Sequence, residues 1–249
     1  MLNEIIYAII QSATEFLPVS SSGHLALISN IISKPDLFLF TALHLASLFA
    51  VLVFTRKEII ELFQFKEESR KLWIYLIIAT IPAALFGFFF KETIEKAFSS
   101  YLFLGIAFMF TGIILLVTRF SKGYSELNIK SSIIIGLFQV LALFPGISRS
   151  GMTISAGFFS GIDREKAAKM SFLLFIPLAL GAFVLELNNF TINAAIIISF
   201  FICAILSFLF LSLLTTIIKK GKFWMFSFYC FVIGLICLML YFKFNFYLF

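Results

Sequence analysis

Apolar residues run along this chain in ten blocks, at about 5–17, 24–33, 37–54, 72–90, 101–118, 131–144, 152–162, 170–186, 192–217 and 223–248. Clusters of charge, or short breaks of serine, proline and glycine, separate them. At about 1.5 Å rise per residue, six of the blocks are long enough to cross a hydrocarbon core of about 30 Å. The other four, 5–17, 24–33, 131–144 and 152–162, are too short, and they flank the two serine-rich breaks in pairs. Each pair is therefore predicted to form a re-entrant helix–loop–helix hairpin rather than two crossings.

The basic residues fix the sides of the membrane independently of that reading. Loops 55–71 (Arg56, Lys57, Lys66, Arg70, Lys71), 119–130 (Arg119, Lys122, Lys130), 162–169 (Arg164, Lys166, Lys169) and 218–222 (Lys219, Lys220, Lys222) are expected to be cytoplasmic. The remaining connections are poorer in base: Lys34 alone before the third block, Lys91 and Lys96 beside Glu92 and Glu95, and none in 187–191. Threading these sides places both termini and both ends of the first hairpin outside, and both ends of the second hairpin inside. The predicted fold is an all-α polytopic membrane protein with six spans and ten helical segments, in one integral membrane domain over 1–249. It divides into two inverted-topology repeats, about 1–127 and 128–249, each a hairpin plus three transmembrane helices.

The breaks themselves repeat. Gln11–His24, QSATEFLPVSSSGH, is echoed at an offset of 128 by Gln139–Gly151, QVLALFPGISRSG, so that Gln11 falls on Gln139, Ser20 on Ser148, Ser22 on Ser150 and Gly23 on Gly151. Between Glu4 and Lys34 the only formal charge is Glu15, and between Lys130 and Asp163 the only one is Arg149. Inverted repeats bring such breaks together near the midplane, where irregular backbone is tolerated only if it lines a cavity.

Gln11 and Glu15 stand four residues apart on one helix face, two oxygen ligands that suit a hard divalent cation. After each break a half-helix is expected to start, at about His24 and about Met152, with serine able to cap it, most simply Ser20 and Ser150. Free N–H groups, the positive end of the helix dipole and close-approaching glycines make an anion site there. Arg149 between the two half-helices adds a planar fork that matches phosphate oxygens and stays charged when buried. The set expected to bind the phosphate anion is Ser20, Ser22, Gly23, Gly146, Ser148, Arg149, Ser150 and Gly151. Glu15, Ser21, His24 and Arg149 are the catalytic set, with Ser21 as the leading nucleophile and water activated by His24 or Glu15 as its competitor. His44 lies in the third block, its facing open.

Composition narrows the class. With 61% hydrophobic residues, 36 phenylalanines and 13% charged residues, the chain is no soluble domain, and its net charge of +6 belongs to loops and anionic lipid headgroups rather than to nucleic acid. Cys203, Cys230 and Cys237 lie in apolar blocks without metal-ligand spacing and read as packing residues. The start MLNEIIYAII lacks the basic region and cleavage site of a signal peptide, so it is expected to be retained. Two other classes share parts of this pattern. A secondary transporter has inverted repeats and broken helices, and a non-catalytic binder of such an anion would need the anion site without Glu15 or His24.

At the paired breaks the sequence resembles the undecaprenyl pyrophosphate phosphatase family, the bacitracin-resistance proteins. The run Q-x-x-x-E-F-L-P-x-S-S-S-G-H at Gln11–His24 and P-G-I-S-R-S-G at Pro145–Gly151 carry the likeness, with FTALHLASLFAVL at Phe40–Leu52 and SFLLFIPLALGA at Ser171–Ala182 more loosely. The family pattern takes Glu or Gln at the position of Gln11. The resemblance implies hydrolysis of a C55 polyprenyl diphosphate to the monophosphate, recycling the carrier of cell-wall synthesis, with Mg²⁺ or Ca²⁺ as cofactor. It further implies an active site open to the outer face of the bacterial inner membrane. Its motif roles fall on Gln11, Glu15, Ser21, His24, Ser148 and Arg149. The partners are then the polyprenyl diphosphate lipid and the bilayer, with no nucleic acid and with room for a homo-oligomer.

Overall fold

The computed structural model describes the chain except for residues 30, 31, 33–36, 65, 186–192 and 247–249. The connections at Lys34 and 187–191, and the far ends of blocks 24–33 and 223–248, therefore lie outside the described residues. Helices make up most of the rest: α1 (Leu2–Phe16), α2 (Ser21–Ile28), α3 (Leu37–Phe54), α4 (Arg56–Leu62), α5 (Glu67–Phe89), α6 (Lys91–Ala97), α7 (Tyr101–Val117), α8 (Ile129–Leu141), α9 (Arg149–Phe159), α10 (Arg164–Leu185), α11 (Ala194–Lys219) and α12 (Phe226–Phe246), with 3₁₀ turns at Thr118–Phe120 and Phe223–Met225.

Among the described residues, five stretches are long and apolar enough to cross a membrane: Glu67–Phe89, Tyr101–Phe120, Arg164–Val184, Ala194–Lys219 and Phe223–Lys243. A sixth is reached only if α3 and α4, which meet at a bend of 74°, are counted together as one span. The expected loop 55–71 is thus partly helix, and α6 is a second short helix that the apolar pattern does not show. Both carry charges on most turns, so no run of apolar residues marks them. Helices α5 and α10 begin earlier than their apolar blocks because their first turns, EESRK and REKAAK, are charged helix formers.

Lipid-grade side chains face outward: Phe88 is 76% exposed, Phe201 60%, Ile205 63% and Met239 68%. The interior mixes apolar side chains with a polar seam of Gln11, Glu15, Ser47, Thr111, Ser148, Ser150 and Ser171. That distribution is what a helix surrounded by hydrocarbon requires, since exposed polar groups there have no partner. Packing pairs cross between the halves. Helix α1 runs along α11 while α8 runs along α5, α7 packs on α12, and α3 on α10. Helices α7 and α12 meet at glycines: a Cβ on Gly105 would stand 3.1 Å from Gly234 O, and one on Gly234 3.1 Å from Gly105 O.

Candidate active site

Both breaks are built by the same local chemistry. After α1, Val19 N donates to Leu17 O at 2.7 Å, a three-residue turn about Pro18. Ser20 Oγ then accepts from Gly23 N at 3.3 Å and shares a 3.2 Å hydrogen bond with Ser22 Oγ. In the second break Ser148 Oγ accepts from Gly151 N at 3.1 Å and shares a 3.2 Å hydrogen bond with Ser150 Oγ. The capping serines are therefore Ser20 and Ser148. Ser150 is not a cap, since its hydroxyl instead donates to Leu17 O at 3.4 Å. The half-helices begin at Ser21 and Arg149, three residues before the expected His24 and Met152, because each cap sits at the head of its serine run.

The breaks touch, and they touch symmetrically. A Cβ on Gly23 would meet the backbone of Gly146 at 2.9 Å, and one on Gly151 would meet Pro18 Cβ at 3.4 Å. These contacts exchange under the offset of 128, which carries Gly23 to Gly151 and Pro18 to Gly146. Ser20 Oγ also accepts from Gly146 N at 3.1 Å, tying the first cap to the second break. Gly146 has φ +87°, a conformation that glycine adopts without cost. Ser20, at φ 67° and ψ 99°, is the one non-glycine among the described residues with positive φ, a strain of about 1–3 kcal/mol. Thr111 on α7 braces the second break from behind, donating to Gly146 O at 3.0 Å.

Charge gathers at this junction. Glu15 Oε2 accepts from Ser21 Oγ at 2.5 Å and from Gln11 Nε2 at 3.0 Å, and Oε1 accepts from Arg149 Nη2 at 3.1 Å. Ser21 and Arg149 are the first residues of α2 and α9 and are themselves related by the offset of 128, so equivalent positions of the two breaks grip one carboxylate. Arg149 is held by a second bond, Nη1 to Ser171 O at 3.1 Å, and lies over the Phe175 ring at 4.5 Å. Those bonds use two of its five N–H donors. His44 joins the group, Nε2 lying 3.9 Å from Glu15 Oε2 and Nδ1 2.9 Å from Phe40 O. Its side chain is 37% exposed, against 7% for Glu15, so the junction opens on the His44 side.

His24 lies elsewhere. Its Nδ1 is 2.7 Å from Ser20 O and its Nε2 2.7 Å from the hydroxyl of Tyr229 on α12, so neither nitrogen reaches Ser21 or Glu15. Nothing in the sequence marks Tyr229 or Thr111, which approach from α12 and α7, and Ser171 and Phe175 on α10 stand out only as part of the loosely family-like run Ser171–Ala182. Gln139, the partner of Gln11 by repeat, donates to Ala79 O at 3.1 Å and has Leu143 where Glu15 would fall, so the carboxylate chemistry belongs to one half.

Among the described residues no three His, Cys, Asp or Glu side chains form a metal-binding cluster. One acceptor does stand ready: Gln11 Oε1 is buried with no hydrogen-bond partner, on the same helix face as Glu15. One carboxylate and one amide oxygen are too few to cage a cation alone, but they fit a hard cation that brings phosphate oxygens with it.

A bundle of membrane-crossing helices with two hydrogen-bonded breaks, a buried carboxylate–arginine pair and two half-helix N-termini at its centre is a polytopic membrane protein with an intramembrane polar site. Comparison with known sequences gives the particular group. The chain belongs to the family described as "Bacitracin resistance protein BacA", whose model it matches over residues 4–236. Proteins named "Undecaprenyl-diphosphatase" are similar to it along nearly their whole length. That of Thermosipho africanus is 45% identical, with 94% of this chain and 98% of that protein covered. Those of Thermosipho melanesiensis and Methanococcus vannielii are 42% identical (93% and 96% covered) and 38% identical (94% and 98% covered).

Proposed function

We propose that the chain is an undecaprenyl-diphosphatase, hydrolysing the C55 polyprenyl diphosphate to the monophosphate and inorganic phosphate where the two breaks meet. It thereby recycles the lipid carrier of cell-wall synthesis and confers resistance to bacitracin. Family membership and the names of the relatives support the substrate. The observation that carries the site is the convergence of Ser21 and Arg149 on Glu15 at the heads of α2 and α9.

The remaining Arg149 donors and the first-turn N–H groups of both half-helices not taken by the capping serines bind the diphosphate, aided by Ser22 and Ser150, while Gly23, Gly146 and Gly151 let the two breaks meet. Ser21 attacks the terminal phosphorus while its proton passes to Glu15, with which it already shares a 2.5 Å bond. The bridging P–O bond breaks, and the polyprenyl monophosphate leaves with the electron pair. Water then cleaves the phosphoserine, releasing phosphate and restoring the hydroxyl. Gln11 and Glu15 would hold Mg²⁺ or Ca²⁺ together with the diphosphate oxygens, and the ion supplies neutralisation of phosphate charge.

Two inverted repeats, about 1–127 and 128–249, account for the architecture. The exchange of packing partners between α1·α11 and α8·α5 and the swapped Gly23·Gly146 and Gly151·Pro18 contacts support this. The site opens to the outer face of the cell membrane, on the side of the exposed His44.

The test is phosphate release from a C55 polyprenyl diphosphate by the purified chain in detergent, with and without EDTA. The expected result is release that the chelator stops and added Mg²⁺ or Ca²⁺ restores. A folded chain that releases none under any of these conditions would overturn the reading.

A further inference from the structure

His24 and Tyr229 form a hydrogen-bond chain that the proposed phosphoryl chemistry leaves unused. Ser20 O can only accept, so His24 Nδ1, 2.7 Å away, carries the ring proton. In the neutral imidazole Nε2 is then an acceptor, and the Tyr229 hydroxyl donates to it at 2.7 Å. The Tyr229 ring stacks on the imidazole, 15° from parallel with centroids 5.6 Å apart, and Phe108 closes the other side edge-on. Both ring nitrogens are committed to protein partners.

What they hold is the strained turn. Ser20 is the residue at φ 67°, and its hydroxyl accepts from both Gly23 N and Gly146 N, joining one break to the other. The second break supplies a comparison within the same chain. There Ser148 has an ordinary φ of −74°, and Met152 stands where His24 would be. The imidazole accompanies the strained serine and is missing beside the relaxed one.

We propose that His24 and Tyr229 are positioning residues for the reaction. Tyr229 fixes the imidazole as the Nδ1–H tautomer, and Nδ1–H pins the Ser20 carbonyl. The pinned turn keeps the Ser20 hydroxyl on Gly146 and keeps Ser21, the next residue, on Glu15. This rests on the phosphatase reading above and assigns His24 a part other than that of general base.

The two parts separate by substitution. Asparagine places an amide N–H where Nδ1–H stands and has no basic nitrogen, whereas glutamine reaches toward the Nε2 position. In the purified chain acting on polyprenyl diphosphate, His24→Asn is expected to keep kcat within about fivefold of wild type, while His24→Ala and His24→Gln lose about 100-fold and Tyr229→Phe about tenfold, with KM little changed. Nitrogen-15 NMR of the imidazoles gives a second readout that needs no turnover. The chain has two histidines, so His44→Asn assigns the signals. The expected pattern for His24 is a protonated Nδ1 and a bare Nε2, with the Nε2 signal moving in Tyr229→Phe.

A folded His24→Asn as inactive as His24→Ala, or an Nε2-protonated ring, would overturn the proposal. If wild type itself releases no phosphate, it is the phosphatase reading that falls, and the tautomer pattern still decides whether the chain of hydrogen bonds exists.

Discussion

Glu15 is 8% exposed and has a donor on each carboxylate oxygen, so its neighbours cannot be removed singly without leaving a buried charge behind. Arg149→Ala is expected to cost about 3–5 kcal/mol of stability, and Glu15→Gln in that background to recover much of it, because the pair rather than either residue is what the interior tolerates. Thermal unfolding of the four purified variants in detergent measures this, and additive losses would mean that the pair is not coupled. Ser21 decides the attacking group. With Ser21 as nucleophile, Ser21→Ala lowers kcat by a factor of about 1,000 or more and abolishes a trappable phosphoserine, whereas a water attack leaves a loss of only about tenfold.

At the scale of elements, the junction depends on backbones that touch. A Cβ at position 23 would stand 2.6 Å from the Phe108 ring as well as 2.9 Å from Gly146, and neither the ring nor the glycine backbone can yield without parting the breaks. Gly23→Ala is expected to destabilise the chain by about 1–3 kcal/mol and to lose most of its activity, read by unfolding and phosphate release together. Unchanged behaviour would mean that the breaks are not in contact. The two helix–break–helix pairs were legible in the sequence because proline, serine and glycine leave a dense signature between runs too short to span. Helices α4 and α6 were not, because seven charged and mixed residues have no apolar period to read. The capping serines were half legible: composition names serine as a cap, but only the chain path shows that Ser148 rather than Ser150 takes the role.

For the whole molecule, the pairing of one acid in the first break with one base in the second could be read because each is nearly alone in its apolar surroundings, and the structure places them 3.1 Å apart. The partner of His24 could not be read. Tyr229 lies 205 residues away on a helix that is apolar all round, and no periodicity marks which face of it meets His24. The sides of the membrane carry their own prediction. If the base-rich loops face the cytoplasm, as the positive-inside pattern predicts, a cysteine at Lys96 should react in whole cells with a membrane-impermeant maleimide and one at Lys122 should not. The reverse pattern would invert the topology and turn the site inward.

Hydrolysis of the diphosphate where the two breaks meet requires both Glu15 and Arg149. It is checked by phosphate release from C55 polyprenyl diphosphate by wild type, Glu15→Ala and Arg149→Ala, each examined for folding by size-exclusion chromatography in the same detergent. The expected result is an active wild type and two folded variants slower by a factor of about 1,000 or more. Folded variants that turn over at the wild-type rate would place the chemistry somewhere else in the molecule.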